Sequence, residues 1–213
     1  MTESSLAVTE FVVRSIAQTA VDKEQEFSDL DAVVGDGDFG FSLARGFEIV
    51  LSDWETFDRS SPSAFLRQIA VTLTSHIGGT SGPIWGTAFL RAASSVKDKD
   101  ELSGADVVVM LRAAAEGIKA RGNSDLGDKT LLDTLIPATA ALEVQFDSGA
   151  DARQALQALA ETARTSAEAT SLLQAKRGRA SYTGERSIGS PDAGAMALAI
   201  IAERLSREWS DPS

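Results

Sequence analysis

Apolar residues recur every three or four positions along almost the whole chain, the spacing of helices that bury one face. Val12, Val13, Ile16 and Ala20 share a face of a first helix, predicted over Leu6–Ala20. A second starts near Ser42 and repeats Leu43, Phe47, Val50, Leu51 and Trp54. A third follows Ser61-Pro62, with Phe65, Ile69, Leu73 and Ile77 four apart. A fourth follows Gly82-Pro83 and carries Ile84, Ala88 and Ala92. The fifth runs from Gly104 to about Ala120, behind Ser103 as a candidate N-cap that accepts a free backbone N–H. The sixth spans about Thr130–Gln145, with Pro137 inside it and expected to kink it. The seventh, Ala152–Leu173, is rich in alanine, and the eighth runs from the candidate N-cap Asp192 to about Trp209.

Eight helices and no convincing strand predict an all-α fold. Val107-Val108-Val109 favours β structure locally but is too short to override its helical surroundings. No long polar linker, repeat or low-complexity segment divides the chain, so one domain over residues 1–213 is expected. An aromatic content of only 6% also favours helix packing over a β-sandwich.

The net charge of -11 repels phosphate backbones at long range and argues against nucleic-acid binding. A nucleotide remains possible where bound cations neutralise the site. The absence of cysteine excludes disulfides, thiolate catalysis and Cys-ligated zinc. His76 is the sole histidine, and a lone histidine at a helix end is more often structural than catalytic. Met1–Val8 is polar and no apolar run approaches the ~18 residues that span a bilayer. A cytoplasmic protein without membrane contact is expected.

The glycines sharpen the picture. Twelve of the 17 fall in four clusters: Gly35, Gly37 and Gly40; Gly78, Gly79 and Gly82; Gly122 and Gly127; Gly178, Gly184, Gly189 and Gly194. These clusters lie between helices 1 and 2, 3 and 4, 5 and 6, and 7 and 8. The other connections, Glu55–Pro62, Val96–Ser103 and Phe146–Asp151, are shorter or plainer. If neighbouring helices run up and down, all four glycine-rich connections meet at one end. Turns need glycine too, but turns alone would distribute it equally between the ends. The asymmetry points to a ligand site at one end of the bundle.

The first connection carries Asp31, Asp36 and Asp38, hard oxygen donors suited to Mg²⁺ or Ca²⁺. Gly35 to Gly40 also spells the dinucleotide fingerprint, but the strand–turn–helix context that fingerprint requires is missing. The EF-hand spacing is absent, and a solvated acidic turn is the ordinary alternative. The second connection, Gly78 to Pro83, opens a helix whose N–H groups favour an anion, with Thr80 and Ser81 adding hydroxyls; a plain glycine-rich cap is the alternative. The third contains Lys129, which could answer phosphate charge or merely pair with neighbouring Asp128. The fourth concentrates Lys176, Arg177, Arg179 and Arg186 in about twenty residues without periodicity, longer than a compact domain ordinarily tolerates without function.

Four segments, in order, resemble the L subunit, or L domain, of dihydroxyacetone kinases. They are Leu30-Asp31 with Gly35-Asp36-Gly37-Asp38, Gly40 and Ala44-Arg45-Gly46-Phe47; Gly79-Thr80-Ser81-Gly82-Pro83; Gly127-Asp128-Lys129-Thr130 with Leu132-Asp133; and Gly178-Arg179-Ala180-Ser181-Tyr182 through Gly184-Glu185-Arg186-Ser187-Ile188-Gly189. The resemblance implies an eight-helix antiparallel up-and-down barrel with a nucleotide site at one end. It implies that Asp31, Asp36 and Asp38 hold two Mg²⁺ ions bridging the phosphates of ADP or ATP, and that Arg179 offsets developing charge. The nucleotide would lie over Phe39, Gly40, Phe41 and Ser42; Gly79, Thr80 and Ser81; Gly127, Lys129, Thr130 and Leu131; Arg179; and Asp192, Ala193 and Gly194. The ketose would sit on a partner K subunit, held covalently by a histidine there. The phosphoryl donor would be ATP, or a phosphotransferase-system protein acting through resident ADP. A non-catalytic ADP-sensing regulatory subunit, acting on a transcription factor or partner enzyme, is the alternative reading, and a homodimer stays open. Phe39 replaces a histidine common in the family, and Phe41-Ser42-Leu43 and Ser190-Pro191-Asp192-Ala193-Gly194 also depart from its wording. These departures leave room for a related triose or tetrulose in place of dihydroxyacetone.

Overall fold

The computed structural model describes residues 4–209; residues 1–3 and 210–213 of the expected domain lie outside the described residues. Among the described residues there are nine α-helices and no strand. They are α1 (Ser5–Asp22), α2 (Glu24–Ala32), α3 (Phe39–Ser52), α4 (Pro62–His76), α5 (Ser81–Ser95), α6 (Gly104–Gly122), α7 (Leu132–Asp147), α8 (Ala152–Ala169) and α9 (Ala193–Glu208).

Eight of these form a closed ring: α1 packs on α3, each helix from α3 to α8 packs on the next, and α9 returns to α1. Arg204 of α9 fastens the seam, reaching Asp22 at 2.7 Å and Gln18 at 3.3 Å on α1. Short α2 stands outside the ring, against α3 and α9. The sequence pattern misses it because Phe27 and Leu30 are its only large apolar residues. One fully buried anchor, Phe27, is enough to dock it in the assembled protein.

The core has two textures. Around α1, α3, α4 and α5 it is aromatic, with Phe47 edge-on to Trp85 and Phe65 edge-on to both Trp54 and Phe57. Burying each such ring contributes on the order of 2 kcal/mol. Between α7, α8 and α9 it is nearly all alanine: Ala138, Ala160, Ala163, Ala167, Ala195, Ala199 and Ala202. Small side chains let these backbones approach closely, and the paired guanidinium and carboxylate of Arg164 and Glu203 join α8 to α9 at 2.6 and 2.7 Å. Helix α7 runs through Pro137 without interruption. No helix is long and apolar enough to cross a membrane among the described residues.

Candidate functional site

The four glycine-rich connections do meet. They line one cleft of about 580 Å³ at one end of the ring. Its wall draws on Asp31, Asp36, Asp38 and Phe39; on Gly79, Thr80 and Ser81; on Lys129, Thr130 and Leu131; and on Arg179, Asp192, Ala193 and Gly194.

Asp31 sits in the last turn of α2, not on a loop as the sequence suggested. Its carboxylate accepts the Gly37 amide at 2.9 Å, which folds the loop back over the helix end. A side chain at Gly35 would collide with that carboxylate. The loop therefore brings carboxylate oxygens of Asp31, Asp36 and Asp38 within 4.8 Å of one another. Three anions this close repel one another unless a cation joins them. Arg179 supplies part of that charge, pairing with Asp36 and, at 3.1 Å, with Asp38. All-oxygen donors without imidazole or thiolate suit a hard dication such as Mg²⁺, which also recruits waters or phosphate oxygens.

The N-terminus of α5 faces the same cleft. Among the described residues, the amides of Gly79, Thr80, Ser81 and Gly82 have no hydrogen-bond acceptor. Free amides at the positive end of a helix dipole bind anions, phosphate in particular. Pro83 supplies no N–H at the third helical position, where one would otherwise go unmet.

The α6–α7 connection is held by two buried carboxylates. Asp133 accepts the amides of Gly127 at 2.5 Å and Thr130 at 2.7 Å. Asp128 accepts Lys176 and Arg177, each at 3.1 Å. Burial pushes the Asp128 carboxyl up, but hydrogen bonds from Lys176 and Asp125 and the charge of Arg177 outweigh it and hold the group below its usual range. Neither carboxylate was singled out from sequence as a site residue. The Thr130-to-Asp133 spacing, which suits a side chain reaching back to an amide, was the available signal.

Asp192 caps α9, accepting the Ala195 amide at 2.8 Å. Burial pushes its pKa up to about 6 against that hydrogen bond, and nearby Asp133 adds to the rise. The long connection before it is built of short 3-10 turns over Arg179–Ser187, broken at Gly184, where φ is 60°.

Five of the expected contacts read differently in the structure. Lys129 is buried at 2% exposure, and its ammonium donates to the carbonyls of Leu173 (3.2 Å), Ser190 (2.6 Å) and Ser187. Its charge is occupied within the protein instead of facing a phosphate, and burial lowers its pKa while Asp192 opposes the fall. Gly40 is a packing glycine: a side chain there would strike the Glu24 carbonyl of α2. Phe41 turns outward, 55% exposed, with Arg45 over its ring at 5.9 Å. Ser42 and Gly127 lie outside the cleft wall. Phe39 does line the cleft, backed by Phe27 at 6.2 Å. His76 is exposed, lies outside the cleft and meets only its own helix, at the Thr72 carbonyl. Sequence reasoning passed over Ile84, Ile118 and Arg121, which line the wall on the α5–α6 side.

The closed helical ring thus carries clustered carboxylates, an open helix N-terminus and an arginine-bearing strap at one mouth. Residues 33–207 match the DAK2 domain, and the chain belongs to that family. It is 35% identical over 176 residues to the ADP-binding subunit DhaL of the PEP-dependent dihydroxyacetone kinase of Escherichia coli, covering 83% of this chain and 84% of that one. It is 37% identical over 184 residues to the L-erythrulose kinase of Pectobacterium atrosepticum, covering 85% of this chain and 31% of that one. The crystal structure of the C. freundii dihydroxyacetone kinase in complex with AMP-PNP and Mg²⁺ superposes with a TM-score of 0.76 at 27% identity, over 98% of this chain and 35% of that one.

Proposed function

We propose that the chain is the nucleotide-binding subunit of a kinase for dihydroxyacetone or a related ketose, working with a separate ketose-binding K subunit. The observation that carries this reading is the convergence of Asp31, Asp36 and Asp38, the open amides of α5 and Arg179 on one cleft. Carboxylates, free amides and a guanidinium at one mouth fit a metal-bound polyphosphate, because positioning and electrostatics carry most of phosphoryl transfer.

In this reading Asp31, Asp36 and Asp38 would hold two Mg²⁺ ions, which would supply positive charge against the phosphates. The amides from Gly79 to Gly82 bind and orient the phosphates. Arg179 offsets charge that develops on the transferred group. Apolar Ile84, Ile118 and Leu131 shape the remainder of the cleft for the base. The phosphoryl group comes either from ATP exchanged each cycle or from a phosphotransferase-system protein that recharges resident ADP. The relatives named for both dihydroxyacetone and L-erythrulose favour a short-chain ketose as acceptor.

Calorimetric titration with ADP and ATP, with and without Mg²⁺, tests the reading. Magnesium-dependent binding is expected, weakened about a hundredfold or more in Asp36→Ala, which removes a charge that faces both cation and arginine. Slow nucleotide release would identify ADP as the resident cofactor. Failure of either nucleotide to bind would overturn the reading and favour a regulatory or scaffold role.

A further inference from the structure

Lys129 and its neighbour Asp128 are both buried, carry opposite charges, and grip the same distant segment. Asp128 holds its entrance: the carboxylate takes Lys176 and Arg177, and the Asp128 carbonyl accepts the Lys176 amide at 3.1 Å. Lys129 holds both of its flanks, Leu173 on one side and Ser187 and Ser190 on the other. Lys129 has a left-handed backbone, φ 61°, a conformation that a non-glycine residue adopts only under constraint from its surroundings. Between the gripped points lies Arg179, which crosses the mouth to Asp36 and Asp38.

An ammonium has three donors and no acceptor, so three carbonyls are the set that satisfies it fully. Here those carbonyls belong to two stretches of backbone that also meet through the Gly189 amide on the Ser171 carbonyl at 2.8 Å and the Ala175 amide on the Ser187 hydroxyl at 2.9 Å, and Lys129 places the one buried charge at the centre of that junction. Arg179 itself is half-exposed, and its ion pairs reach only the exposed carboxylates of Asp36 and Asp38 across the mouth.

We propose that Lys129 is a positioning residue: it closes the strap 173–190 into a loop of fixed shape, with Asp128 as the second clasp, and so sets where Arg179 meets the phosphates. This rests on the nucleotide-binding reading for its functional consequence, but the clasp itself is a property of the protein without ligand. Lys129 then acts through Arg179 and not on the nucleotide.

The test is a double-mutant cycle on Mg-ADP affinity with Lys129→Met, Arg179→Ala and the double variant. Each single variant is expected to bind about tenfold or more weakly, since a small displacement of a binding group is costly, and the double no more weakly than Arg179→Ala alone. Effects that multiply in the double, or wild-type affinity in Lys129→Met, would overturn the proposal. Should Lys129→Met not fold, the doubly substituted Lys176→Ala/Arg177→Ala chain releases the Asp128 clasp from exposed side chains and enters the same cycle, with the same outcomes decisive. Hydrogen exchange on the nucleotide-free protein separates the two readings. Faster exchange over 173–190, with α4 and α5 unchanged, supports the clasp even if no nucleotide binds. Unchanged exchange there refutes it.

Discussion

The two ends of the ring start their helices in different ways. At the end away from the cleft, every helix carries its own cap: Ser4 for α1, Ser61 for α4, and full capping boxes at Ser103 for α6 and Asp151 for α8. At the cleft end only α9 has a side-chain cap, Asp192. Helix α3 borrows the Ser28 hydroxyl from α2 for its Phe41 amide, and α7 leans on Thr130 just ahead of it. Helix α5 is left open. One end is thus finished locally, residue by residue, whereas the other is finished by distant parts of the chain and by whatever binds there. The amides of Gly79 and Thr80 ahead of α5 are exposed and without a protein acceptor, open to water or to an anion.

Three substitutions would break or sharpen this contrast. The largest effect on nucleotide affinity is expected from Ser81→Asp, which places a carboxylate on the open α5 terminus. It should raise folding stability by about 0.5 kcal/mol through the helix dipole. The same charge should weaken nucleotide affinity about tenfold or more by repelling phosphate. A paired denaturation and titration experiment reads both signs, and unchanged affinity would show that the α5 amides do not face the nucleotide. At the opposite end, Ser103→Ala should cost about 1 kcal/mol of stability, the usual worth of an N-cap. Its nucleotide affinity should equal that of the wild type, and any loss would mean that the two ends are coupled.

The third substitution concerns pH. Asp192 titrates at about 6 in the folded protein against an ordinary 3.8. The native state therefore holds this proton more tightly than the unfolded chain does. The group's contribution to stability accordingly falls as pH rises from about 4 to about 6, and is constant above that interval. Asp192→Asn keeps an acceptor for the Ala195 amide and has no proton to lose. Its stability relative to wild type should climb across the same interval, and a flat difference in chemical denaturation would remove Asp192 as the titrating group.

The contrast also explains what the sequence disclosed. The eight ring helices were legible because each carries a long apolar face, and Ser103 and Asp192 were legible as caps because capping is local. The convergence of the glycine clusters followed from alternation alone. Helix α2 escaped because its docking depends on one phenylalanine meeting a surface assembled elsewhere. Lys129 invited a phosphate because its true acceptors lie 44 to 61 residues further along the chain. Gly40 resembled a loop glycine because the Glu24 carbonyl it accommodates belongs to the helix that the pattern missed. Each misreading comes from the end of the ring that is completed at long range.

The seam between α1 and α9 imposes an order on the birth of the site. Around the ring, neighbours are consecutive or nearly so in the chain, and such pairs can associate soon after leaving the ribosome. The seam joins the first helix to the last of the nine made, and the strap with Arg179 immediately precedes that last helix. The three aspartates are therefore synthesised long before the arginine that meets them. During translation they form an uncompensated acidic turn on a growing arc of helices. The nascent chain acquires its complete cleft only once the strap and α9 have been made, when the arc becomes a ring.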